Sequence, residues 1–68
     1  MPSISYITRF YPIDGGELTE EYFYNTEEEA IEHANMLTED IGELYEGIEV
    51  ARLNWYTHEE TSLHYYDS

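Results

Sequence analysis

Asn25–Gly47 reads NTEEEAIEHANMLTEDIGELYEG, and its periodicity decides the fold. Ala30, Ile31, Ala34, Leu37 and Ile41 recur at the spacing of one helix face. Thr26 followed three residues later by Glu29 is a capping-box pattern. Glu27, Glu28 and Glu29 fall where the positive end of a helix dipole favours carboxylates. The spacing predicts a helix over about 27–41, with Gly42 as its C-cap and a frayed turn through Tyr45.

Either side of the helix the pattern changes to period two. Ser3–Pro12 alternates and is rich in β-branched and aromatic residues, so it reads as a strand. Asp14-Gly15 is a hairpin signal, because the tight turn needs positive φ. The returning strand spans about Leu18–Tyr24, with Phe23 pointing one way and Tyr22 and Tyr24 the other. Gly47–Thr57 is a third strand whose alternation slips between Val50 and Ala51. That slip signals a bulge or a strand buried on both sides. Thr61–Asp67 is the fourth strand. Two hairpins around one helix give a ββαββ order: an α+β class, two-layer fold with a four-stranded antiparallel sheet and the helix packed across one face. The expected core is Ile7, Phe23, Ile31, Ala34, Leu37, Ile41, Val50, Leu53, Trp55 and Leu63.

Residues 1–68 read as a single small domain, of a size that buries only a modest core. Apolar residues make up 41% and aromatics 16%, too rich for a disordered chain. There is no cysteine, hence no disulfide or thiolate metal site. No apolar run approaches a membrane span, and the first ten residues lack the layout of a signal peptide. The expected location is the cytoplasm.

Charge is the outlier. Sixteen Asp and Glu face two cations, Arg9 and Arg52, for a net charge of −14. The Asn25–Gly47 stretch alone holds eight carboxylates and no Lys or Arg. Such repulsion destabilises a compact state and disfavours nucleic acid and anionic membranes as direct partners. On a helical wheel Glu28, Glu32 and Glu39 lie opposite the apolar stripe, flanked by Glu29, Asp40 and Glu43, with Met36 exposed among them. Glu28, Glu32, Met36, Glu39, Asp40 and Glu43 are therefore the candidate partner-binding residues. Glu28 and Glu32 are separated by about 6 Å along the axis, similar to phosphate spacing on a strand of nucleic acid.

Other chemistry has little to stand on. His33, His58 and His64 are scattered without metal-ligand spacing and read as surface and turn residues. There is no calcium loop, glycine-rich phosphate loop or nucleophile elbow. The expectation is no catalysis, no cofactor and no metal. The eight tyrosines divide between the core and a binding face. Tyr22, Tyr24, Tyr56 and Tyr66 are expected on the sheet face away from the helix, where tyrosine suits protein contact.

In length, lack of Lys and acidic helix TEEEAIEHANMLTEDIGELYEG between two hairpins, the chain resembles the small acidic inhibitors of phages and mobile elements, including anti-CRISPR proteins. The likeness is one of composition and layout across the whole chain. It implies a nucleic-acid mimic: carboxylates standing in for phosphates in the basic groove of a nucleic-acid-binding protein, such as a CRISPR effector or other nuclease. Two further readings stand beside it. One is an acidic interaction module that binds a basic partner, or forms a homodimer through a sheet edge or its tyrosine face. The other is adaptation to high internal salt, in which acidity says nothing about partners.

Overall fold

A computed structural model describes residues 3–13 and 19–67. Its elements are β1 (Ile4–Pro12), β2 (Glu20–Tyr24), α1 (Glu27–Met36), β3 (Tyr45–Asn54) and β4 (Glu60–Asp67), with a 3-10 turn over Thr38–Asp40. The strands form one antiparallel sheet in the order β2-β1-β3-β4, and α1 packs across one face. The expected α+β architecture is the observed one. The Asp14-Gly15 turn lies outside the described residues.

β1 and β3 occupy the middle of the sheet. Residues of β1 are therefore buried alternately on the two sides: Thr8 and Phe10 under the helix, Ser5 and Ile7 on the opposite face. Tyr6↔Arg52, Thr8↔Val50 and Phe10↔Ile48 fix the register that puts Ile48 and Val50 on the helix side. Val50 and Ala51 are both buried, and the β3–β4 register shifts between them. The slip in alternation thus reflects both a bulge and a strand buried on its two faces.

The core beneath α1 joins small helix residues to large sheet residues. Ala30 and Ala34 are wholly buried against Phe10, Ile48 and Val50. Alanine lets the helix backbone come close enough for the Thr8 hydroxyl to donate to the Ala30 carbonyl at 2.8 Å. That bond satisfies a fully buried hydroxyl which would otherwise be costly. The surrounding space is filled by Tyr6, Tyr24, Tyr45 and Tyr66, together with Ile31, Leu37 and Ile41, all half-buried.

Several expectations are corrected. Tyr22, Tyr24 and Tyr66 lie on the helix side, not the far side: Tyr22 sits edge-on to Phe10 and to His33, and the other two pack on the core. The alanines of α1 leave room for rings there, and the tyrosine hydroxyls reach the wet rim. Tyr56 lies in the β3–β4 turn, highly exposed. Phe23 and Trp55 are on the open face, 50% and 45% exposed, and are not core. Leu53 and Leu63 are half-buried. Phe10, Ile48 and Ala51 are core positions absent from the expected set, and Ala30 is buried as its place on the apolar stripe predicts.

α1 is also shorter than its periodicity suggests. Its start is as expected: the Glu29 N–H donates to Thr26 Oγ1 at 3.2 Å, and the same hydroxyl donates to the Glu29 carboxylate at 3.0 Å. It ends at Met36, after which the Leu37 N–H turns to the Ala34 carbonyl, a three-residue reach that begins the 3-10 turn. Gly42 is not a cap on α1. It takes φ +97° in the turn into β3, where its N–H donates to the Tyr45 carbonyl at 2.7 Å.

Two substitutions test this core. Ile48→Val is expected to cost about 0.5–1.5 kcal/mol, and Phe10→Ala about 3–5 kcal/mol, which is most of the stability of so small a domain. Urea denaturation followed by circular dichroism measures both. A Phe10→Ala protein that melts like the parent would move Phe10 out of the core.

Candidate functional site

Only Glu28, Glu32 and Met36 of the six candidate residues share the helix face, at successive four-residue steps of α1. They line a shallow groove together with Ile31 and Asn35. Met36 is 71% exposed, as its place on the wheel predicts. Because α1 stops there, Glu39 and Asp40 sit on the 3-10 turn and Glu43 in the turn that follows. The acidic surface is a helix face continued by a bent segment, not one straight row. Glu28, Glu32, Glu39 and Glu43 are exposed and Asp40 is half-buried.

The three glutamates of the first helical turn divide their roles. Glu29 closes the cap. Glu27 reaches across to β4, 3.2 Å from His64 Nε2. Glu28 points outward into the groove. His33, expected at the surface, is half-buried among rings: its Nδ1 lies 2.6 Å from the Tyr24 hydroxyl, and Phe10, Tyr22 and Tyr24 meet it edge-on. His58 occupies the β3–β4 turn with φ +61°. The three histidines do not converge, and among the described residues no group of three His, Asp or Glu is placed to hold a metal ion.

On the opposite face a charge network links every strand. Arg9 of β1 donates through Nε to Glu21 of β2 at 2.7 Å and through Nη1 to Glu49 of β3 at 2.8 Å. Its Nη2 reaches Glu60 of β4. The Tyr11 hydroxyl adds a second donor to Glu49 at 2.8 Å. Partial burial works against the Arg9 charge, but the hydrogen bonds to Glu60, Tyr11 and Glu21 outweigh it and hold the pKa above arginine's ordinary value. Burial alone would raise the Glu49 pKa, yet hydrogen bonds from Tyr11, Ser62 and Arg9 pull it below the usual carboxylate value. Burial and the neighbouring Glu49 push the Tyr11 phenol up. Nothing in the residue pattern alone points to this network. Its five members come together only once the strand order is known.

Beside the network Phe23 and Trp55 stack with centroids 5.9 Å apart. Tyr65 leans over Gly47, where a Cβ would collide with its hydroxyl, and its ring meets Tyr11 at 6.2 Å. The aromatic face was expected, but its members are Phe23, Trp55, Tyr11 and Tyr65.

The chain matches no known protein family, and neither characterised proteins nor solved structures include a significant relative. Among the described residues no helix is long and apolar enough to cross a membrane.

Ionisation of the network sets an acid dependence. The folded Glu49 pKa lies below its unfolded value of about 4.3, so its contribution is full above that value and is lost as pH falls through the folded one. Glu49→Gln is expected to flatten the decline in stability below about pH 4. Arg9→Gln is expected to cost about 2–4 kcal/mol at neutral pH, between the values for exposed and buried pairs, because it leaves three carboxylates together. Urea melts of both variants from acid to neutral pH check this.

Proposed function

We propose that this protein is an acidic binding protein that mimics nucleic acid, occupying the basic groove of a nucleic-acid-binding protein in the cytoplasm and excluding the groove's usual ligand. One observation carries the reading. Among the described residues Arg9 pairs with Glu21, Glu49 and Glu60, Glu27 lies 3.2 Å from His64 Nε2, and Arg52 pairs with none of the described carboxylates. Glu28, Glu32, Glu39, Asp40 and Glu43 make no ion pair among the described residues, and together they form the acidic surface of α1 and the turn beyond it.

Repulsion among these groups costs stability in the free protein, and a basic groove relieves it. Carboxylates about 6 Å apart along α1 approximate neighbouring phosphates. Met36 adds an apolar contact between them, which a phosphate chain lacks and which lengthens residence rather than speeding encounter. Steering by the long-range field speeds association. Binding of this kind needs no reacting group, and inhibition by occlusion fits a CRISPR effector, another nuclease or a DNA-binding regulator equally.

Replacing Glu28, Glu32 and Glu39 together by Gln removes three charges at constant size. The variant is expected to fold at least as stably as the parent. In lysate capture at low salt it should lose the basic nucleic-acid-binding proteins that the parent retains, and it should no longer compete with DNA for them. Parent binding should weaken steeply as salt shortens the reach of exposed charge to about 8 Å at physiological ionic strength. Capture unaffected by the triple substitution or by added DNA would overturn the reading. Folding that requires molar potassium chloride would instead assign the acidity to salt adaptation.

A further inference from the structure

The open face of the sheet presents a second surface, on the side away from α1. Phe23 lies in the cross-strand row Phe23–Ile7–Ala51, and its ring stacks on Trp55. Ile7 and Ala51, the next two residues of that row, are buried. Trp55 is fixed in place: its indole N–H donates to Ser5 Oγ at 2.8 Å and its backbone N–H to the Ser3 carbonyl at 2.8 Å. Rings held this way lose little freedom on binding. Each nonetheless keeps about half of its area in water.

The rim of this platform is acidic. Glu21 sits two residues from Phe23 on the same face of β2, about 7 Å along the strand. Glu60 pairs with Leu53 at the next strand end. Arg9 matches one charge among Glu21, Glu49 and Glu60 and leaves the cluster net negative. Glu21 and Glu60 are the more exposed of the three.

We propose that this platform receives an arginine side chain from a basic segment of a partner protein, the guanidinium lying on Phe23 and Trp55 while its N–H donors reach Glu21 and Glu60. Three considerations select that occupant. Exposed ring faces attract a cation, and the planar guanidinium both stacks on rings and forks onto carboxylates, which an ammonium does not. The same face already holds one guanidinium, Arg9, in a cage of carboxylates. A second copy of this chain would bring another net −14 against the first, and stacked nucleic-acid bases need a basic frame that is absent here. The site is independent of the acidic helix face.

Trp55 is the only tryptophan, so its fluorescence reports on the platform directly. The parent is titrated with two capped peptides of alternating glycine and arginine or glycine and lysine, equal in charge, at about 0.3 M salt, where screening confines exposed charges to roughly 6 Å. The arginine peptide is expected to bind more tightly and to perturb Trp55. Phe23→Leu should weaken it about two- to fivefold and abolish its advantage over the lysine peptide. The double variant Glu21→Gln, Glu60→Gln keeps the rings and should weaken both peptides. The triple Gln variant of the helix should bind like the parent. Equal binding of the two peptides, or no loss in the double variant, overturns the proposal. So does loss in the helix variant, or self-association of the parent at titration concentrations. If Phe23→Leu fails to fold, the double variant decides alone.

Discussion

Arg9 touches a carboxylate on each of the other three strands, Glu21 on β2, Glu49 on β3 and Glu60 on β4. A chain with two cations in total commits one of them to the middle of its sheet. The position follows from the strand order. Only a residue on a central strand can reach both edges, and only arginine has the length and the spread of donors to serve three acceptors. Each exposed pair contributes little by itself. The collective effect is larger, because the open face would otherwise gather uncompensated negative charge where no helix shields it. The network also sets the character of that face, where Tyr11 and Tyr65 lie beside Glu49 and the Phe23–Trp55 pair stands apart from them.

The helix face solves a different problem with neutral groups. One helix covers β1, β2 and β3 only if it comes close, and Ala30 and Ala34 permit that approach. Thr8 then converts proximity into a hydrogen bond to the Ala30 carbonyl. Rings fill the remaining volume from the sheet side, with hydroxyls placed where they meet water or His33. Carboxylates are consequently pushed outward on α1, onto the helix surface that faces away from the sheet. The acidic surface and the small-residue stripe are two sides of one packing arrangement, and a functional reading of the first must accommodate the second.

Local signals were the most legible. The Thr26 cap, the alternation of β1, the slip between Val50 and Ala51 and the exposure of Met36 depend on neighbours in the chain, and all appear in the fold. The helix end is not legible because Leu37 and Ile41 do pack on the core, but from the C-cap position and an extended residue, so the apolar period outlasts the helix. Which side of the sheet α1 covers was the larger loss. Alternation separates Phe23 from Tyr22 and Tyr24 but does not say which set faces the helix. The answer rests on fitting ring volume against alanine, a tertiary matter. Arg9 and its partners span 51 residues from Arg9 to Glu60, and no local pattern relates them.

The strand order has a further consequence for the birth of the molecule. β1 leads the described chain, yet its longest partnership is with β3, some forty residues later, while β2 pairs with β1 alone. A nascent chain emerging from a ribosome can close the β1–β2 hairpin early, but that hairpin has no second layer and no partner for its inner edge. Two-stranded ribbons are marginal in water, so it must wait, with Ile7 and Phe10 uncovered, until α1 and then β3 arrive. Closing so distant a pairing is slow compared with forming a helix or a hairpin. For that interval the dense negative charge serves the chain itself: unfinished copies repel one another, and the exposed centre of one sheet is kept from pairing with the centre of the next.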